Sequence, residues 1–211
     1  MEHSLRSPFA DAVHVATELV LRPEVAARWT AESACADLTV GALARHLVSQ
    51  WSNAVLLLRA DAGTAPITAP EHYERATWVR GGPDHDANVG IRQGSEELAA
   101  EGPEAMHALV AALGPELTDV LATPREGSVL IPWQGWSLSE HDFLVTRLME
   151  IVVHSDDLAA SIDVVTPEFP PEALAPVLDL LTGLAVRRHG ATAVVRTLTR
   201  PQRAPAVISA F

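Results

Sequence analysis

The run from Phe143 to Ile162, FLVTRLMEIVVHSDDLAASI, limits what this chain can fold into more than any other stretch. At a helical period nearly every position in it is apolar except Arg147, Glu150, His154 and Asp157, which recur every three or four residues and so fall along one stripe. The other faces carry Phe143, Leu144, Leu148, Met149, Ile151, Val152, Val153 and Leu158. A helix this apolar all round is a buried one, so its polar stripe has to face the inside of a helical bundle. Charges placed there need partners or a metal. Glu150 and His154, one turn apart, put a carboxylate oxygen and an imidazole nitrogen on the same face, roughly 6 Å apart at the backbone and within reach of one cation.

The rest of the bundle is readable on both sides of that run. Residues 7–21 predict a first helix with Ser7 as N-cap, Pro8 in its first position, and Val13, Ala16, Leu19 and Val20 turned inward. His14 lies in it without a matching ligand one turn away, which is the pattern of an exposed or satisfied side chain. Residues 23–38 form a helical turn and a connection holding Trp29 and Cys35; no second thiol or adjacent cation activates Cys35, so its reading is structural. From Thr39, a plausible N-cap, to about Ala60 runs a second long helix whose apolar surface is Leu43, Leu47, Val48, Trp51, Val55 and Leu58. His46, Ser49, Gln50 and Asn53 make a narrow polar strip on it. Packed against the later stripe, this strip brings His46 toward Glu150 and His154 as a third ligand, with Gln50 and Asn53 as polar groups of a pocket. The competing reading of His46 is a core histidine bonded to a carbonyl.

Residues 61–90 predict a long functional or mobile connection, in which Asp84, His85 and Asp86 are solvated loop residues rather than ligands. Helical periodicity returns over 91–122, with breaks expected at Gly102-Pro103 and Gly114-Pro115 and a buried side of Met106, Leu109, Val110, Leu113 and Leu117. Glu104 and His107 resemble half of a di-iron carboxylate motif whose other half is missing, and an acid at a helix start is favoured by the dipole alone. Residues 127–138 predict a loop or small hairpin, whose Trp133 and Trp136 either wall a ligand pocket or pack the end of the bundle. Pro171 opens a last long helix with Leu174, Val177, Leu178, Leu181 and Leu184 inward, and Gly190 stops it before a short helix over 192–199.

Composition narrows the partners. With 211 residues, 48% of them hydrophobic, the chain can bury one sizeable core, and a single domain over 1–211 is expected. A net charge of -12 and a pI near 5.1 argue against nucleic acid and anionic membrane surfaces, and all fifteen basic residues are Arg. The single cysteine cannot form an internal disulfide and the first thirty residues lack the order of a signal peptide, which makes the cytoplasm the expected compartment. No apolar run approaches the length of about 18 residues that spans a bilayer.

The histidine of ALARHLV followed a hundred residues later by RLMEIVVHSDDL resembles the DinB-like four-helix-bundle metalloproteins, and among them the N-terminal domain family of mycothiol-dependent maleylpyruvate isomerase. The C-terminal run RRHGATAVVRTLTRPQRAPAVISAF is similar to single-domain members. The resemblance implies an all-α, DinB-like four-helix bundle with short extra helices and a small hairpin near 129–138. It also implies one divalent metal on His46, Glu150 and His154, and mycothiol as the thiol cosubstrate. Two neutral imidazoles and a carboxylate leave a net +1 on a divalent zinc and an open position, the arrangement of catalytic zinc, although iron or nickel also suits the set. A thiol entering that position is deprotonated by the metal's charge and ready to attack a small electrophile. Asp157 is then the acceptor that fixes a ligand histidine's tautomer, or a helix-end acid paired with an arginine. Arg147 binds a substrate or cofactor carboxylate, or neutralises Glu150 or Asp157.

The function this implies is a metal-dependent thiol transferase or isomerase-like enzyme acting on a small-molecule electrophile and a low-molecular-weight thiol, with a homodimer allowed. Its alternatives are a hydrolase using metal-activated water and a non-catalytic metal-binding bundle. Two departures from the family pattern stand out. Leu38 precedes Thr39 where the family commonly has tryptophan, and Ala42 stands where an acid would complete the helix cap. The full isomerase carries a further C-terminal domain for which this chain has no room, so maleylpyruvate is not the expected substrate.

Overall fold

Two helices, α3 (Val40–Arg59) and α8 (Glu140–Ser161), pack along each other through the apolar residues that the sequence gives them on several faces. Around them a computed structural model, which describes residues 4–80 and 85–211, places α1 (Arg6–Val20), α2 (Pro23–Ala27), α4 (Ala69–Arg75), α5 (Thr77–Arg80), α6 (Asp86–Ala99), α7 (Pro103–Ala122), α9 (Pro171–His189) and α10 (Ala191–Thr199). The four bundle helices follow each other round the core in the order α1, α8, α3, α7. Helix α9 lies outside against α8, α1 and α4, and α6 lies outside against α3. The chain is thus mostly helical, as its periodicity and its family resemblance predict, and one apolar cluster runs from Leu5 to Leu184 through all four bundle helices.

The small hairpin is present, with an addition the sequence did not reveal. Strands β2 (Val129–Ile131) and β3 (Trp136–Leu138) pair antiparallel, and β1 (Pro66–Ile67), from the region read as connection, adds to β3 in parallel. The turn between β2 and β3 uses Gly135 at φ 80°, a backbone conformation that glycine adopts without strain. This sheet fixes Ile131, Trp133 and Gln134 over one end of α3 and α8.

Helix α6 and the turn after it are fastened around the start of α3 by four contacts. Thr39 caps α3 by accepting the Ala42 amide at 3.1 Å, and the acid missing from position 42 is replaced from outside. Glu96 of α6 accepts the Thr39 backbone N–H at 2.7 Å and its hydroxyl at 3.0 Å, giving the reciprocal half of a capping box across two helices. Trp29 donates its indole N–H to the Ala99 carbonyl at 2.8 Å while its ring lies on Gly41, where a Cβ would come within 2.5 Å of it. Buried Arg45 pairs with Glu101 at 3.2 Å.

Several expectations are corrected. Helix α1 begins at Arg6 with Leu5 at the N-cap and no side-chain cap, so Ser7 lies inside it; Arg6 instead clamps the bundle end by a two-pronged pair with Glu140 at 2.7 Å. The stretch 61–90 holds β1, α4, α5 and the start of α6. Of its acidic-histidine cluster, His85 is exposed, Asp86 opens α6, and Asp84 lies outside the described residues. Gly114-Pro115 does not interrupt α7, because losing one backbone N–H costs less than giving up the packing of Leu113, Leu117 and Val120 beyond it. In α9 the buried face is Ala173, Val177, Leu180 and Leu184; Leu178 is 52% exposed, since the helix meets α8 and α1 on a face rotated from the one predicted. Val153 of α8 likewise reaches the surface. Among the described residues α7 is long and apolar enough, by length and composition, to cross a membrane, contrary to the expectation of no such run; it packs as a bundle member with Met106, Val110, Leu113, Leu117 and Val120 inward.

Candidate metal centre

Because α3 and α8 lie against each other, the two polar strips meet. Glu150 Oε2 lies 3.2 Å from His154 Nε2 on its own helix and 3.9 Å from His46 Nε2 across the helix pair. The two imidazoles are edge to face, 4.8 Å between centroids at 87°. One donor atom from each of the three residues lies within 4.8 Å of the others, and all three side chains are largely shielded. Two nitrogens and one carboxylate oxygen, delivered by two rigid helices at this separation, suit a divalent ion.

The neighbours hold this set in place. His154 Nδ1 meets Asp157 Oδ2 at 3.0 Å, which leaves Nε2 to face Glu150. Gln50 donates through Nε2 to the His46 carbonyl at 2.9 Å and accepts from Arg147 Nη1 through Oε1 at 2.5 Å, tying α8 to α3 beside the ligands. Burial pushes the Glu150 carboxyl up, but the His154 and His46 imidazoles and the Arg147 charge outweigh it and hold the group well below the usual carboxylate range. Burial pulls His154 down, and its bonds to Asp157 and Glu150 overcome that and raise it to about 9. The carboxylates of Asp157 and Glu150 thus stabilise a positive charge on the His154 ring.

All three donor residues open on a cavity of about 500 Å³. Its walls are α3 (Arg45, Ser49, Gln50, Asn53), α6 (Gly90, Ile91, Arg92, Gly94, Ser95, Leu98), α8 (Phe143, Arg147) and the hairpin (Ile131, Trp133, Gln134). Gln50, Asn53, Trp133 and Arg147 line this cavity together with His46, Glu150 and His154. Trp136 does not line it, because its indole N–H is engaged by His72 Nδ1 at 3.1 Å.

The sequence reading did not bring Cys35 or His72 to this cavity. Cys35, half-buried at the cavity, has its sulfur within 4.8 Å of donor atoms of His154 and Asp157; burial and the carboxylates of Asp157 and Glu150 raise the thiol, so it is not an activated nucleophile. His72 is 3% exposed and lines the cavity from α4. A local signal for α4 existed: Thr68 and Glu71 form a full capping box with Pro70 in the first turn, which marks a helix start inside the supposed loop.

The sequence pattern of the mycothiol maleylpyruvate isomerase N-terminal domain matches residues 9–159. The chain belongs to this family. The matched segment runs from α1 to the last turn of α8 and includes His46, Glu150, His154 and Asp157. The family is mycothiol-related and DinB-like, in keeping with the helical bundle seen here. No curated protein and no solved structure matches the chain.

Proposed function

We propose that residues 1–211 form one metal-binding domain in which His46, Glu150 and His154 hold a single divalent ion, zinc first by donor type, and that the adjoining cavity receives mycothiol and a small electrophile. The reaction is attack of the thiol sulfur on that electrophile, as in a thiol transferase or isomerase. The observation that carries this reading is the convergence of three donor atoms from two helices on the wall of an open cavity, in a member of a mycothiol-related family. A bound divalent ion would supply the positive charge that keeps a thiol ionised at neutral pH.

The protein's own groups do the rest. Asp157 holds His154 by Nδ1 and so keeps Nε2 aimed at the ligand cluster. Arg147, steadied by Gln50, offers its guanidinium to a carboxylate of thiol or substrate at the cavity wall. Ile131, Phe143 and Leu98 give that wall an apolar part that keeps water from competing with the thiol. A bundle whose metal were only structural has no use for a cavity beside it, which favours catalysis.

Elemental analysis of the purified chain should return close to one divalent ion, and His46→Ala and His154→Ala should each lose it. Full metal content in those variants sinks the ligand set. Thiol conjugation to a fluorogenic alkylating agent, followed with and without mycothiol, should depend on mycothiol; turnover without thiol would point to metal-activated water instead.

A further inference from the structure

His72 has no part in the metal reading, yet its surroundings are those of a ligand contact. The ring is 3% exposed and lines the cavity. Its Nδ1 receives the Trp136 indole N–H at 3.1 Å, and an indole can only donate, so Nδ1 is the bare nitrogen and Nε2 carries the proton. That Nε2–H has no hydrogen-bond partner among the described residues. Nor is Nε2 sealed in the protein, since it is not among the buried polar atoms that lack a partner. With the ring almost wholly enclosed and the cavity against it, the cavity is where this donor emerges. A donor that opens on a cavity without a protein acceptor is free to bond a ligand atom bound there.

The charges nearby say what kind of atom. Among the described residues lining the cavity, the guanidiniums are Arg45, paired with Glu101, Arg92, which faces Asp37 at 3.9 Å, and Arg147, held by Gln50; the one carboxylate is Glu150, already held between two imidazoles. In a lining whose guanidiniums outnumber its one engaged carboxylate, the acceptor that suits the His72 N–H is an anionic oxygen. An N–H or ammonium of a ligand would face the His72 N–H donor to donor and be rejected.

We propose that His72 contacts the ligand, donating a hydrogen bond from Nε2 to an anionic oxygen of a small molecule bound in the cavity. Trp136 acts through it as a positioning residue, fixing which ring nitrogen bears the proton. The proposal rests on the cavity being the ligand site, as in the function proposed above. Burial, with Arg147 close by, holds the ring at about 4, so it remains a neutral donor near pH 7 and does not compete with the guanidiniums for position.

The test is imidazole ¹⁵N NMR on the full chain, zinc-loaded and metal-free, with acetate as the probe. At pH 7 His72 should appear as a single neutral Nε2–H tautomer, and acetate should move its Nε2 resonance saturably. His72→Leu should weaken acetate binding about 10-fold, the effect of one hydrogen bond to a charged oxygen, whereas His72→Gln, which keeps an N–H, should recover most of it. Trp136→Phe leaves the ring in place and should mix the two tautomers. A charged ring or an Nδ1–H tautomer in the wild type, an Nε2 resonance that acetate leaves unmoved, or unchanged affinity in His72→Leu each overturns the proposal. Metal content on the same samples keeps the two readings apart: a chain that binds no zinc but shows the His72 response loses the metal centre and keeps this contact.

Discussion

Helices α7 and α8 each carry an acid and a histidine at helical spacing, and only the pair on α8 becomes part of a cluster of three donors among the described residues. On α8, Glu150 and His154 meet His46 of α3 beside an open cavity. On α7, Glu104 is exposed at the first turn and His107 is half-buried, with its Nε2 enclosed and unpartnered; no group of three donor atoms among the described residues includes either. On α8 the spacing aims two donors, Glu150 and His154, at one point. The third has to come from whichever helix packs there, and α3 presents a polar strip to α8, whereas α7 packs on its neighbours with Met106, Val110, Leu113 and Leu117.

The sharpest way to probe the cavity that the α8 pair opens on is acid. His72 stays neutral in the folded chain down to about 4, while in the unfolded chain it takes a proton near 6.5. Between those values the unfolded state binds more protons, so stability falls as pH drops from 6.5 toward 4, by at most roughly 3 kcal/mol from this ring. Urea melts of wild type and His72→Gln across that window should show a flatter response in the variant. His154 has the opposite sign: in the metal-free chain its contribution is full below 6.5 and is lost as pH rises through about 9.

Next in size is the support of His154. Asp157→Asn should lower metal affinity about 10- to 100-fold, as removal of such an acceptor does elsewhere, in competition with a chelator of known strength. An unchanged affinity would mean that the 3.0 Å contact does not orient the ring. A smaller effect is expected where α6 is fastened: Glu96→Ala should cost about 1 kcal/mol of unfolding free energy, the scale of a lost helix cap, and should add less than its full value on top of Thr39→Ala because the two residues form one cap. The smallest belongs to α7. Glu104→Ala with His107→Ala should leave metal content unchanged, and a loss there would erase the contrast between the two helices.

How much of this was legible in sequence follows from the range of each interaction. The stripe on α8, the strip on α3 and the hairpin are local patterns; Arg147, Glu150, His154, His46, Gln50, Asn53 and Trp133 from them line the cavity, while Asp157 and Trp136 do not. The position of α4 was legible too, since Thr68, Pro70 and Glu71 spell a helix start, but the Pro- and Gly-rich surroundings argued for a loop and hid His72 with it. The fate of Trp136 was not legible: whether an indole faces a cavity or a histidine depends on which side of β3 meets α4.

By itself the sequence settled which helices are buried, which residues on them are polar, and to which family the chain is related, because periodicity and motif spacing are properties of neighbours along the chain. Tertiary structure alone decided that the acid absent at Ala42 is supplied by Glu96 from another helix, that Cys35 comes beside His154, and that His72 enters the cavity wall in place of Trp136. Each of these is a contact between groups dozens of residues apart, whose partner is chosen by the packing of whole helices and leaves no trace in the spacing of either one.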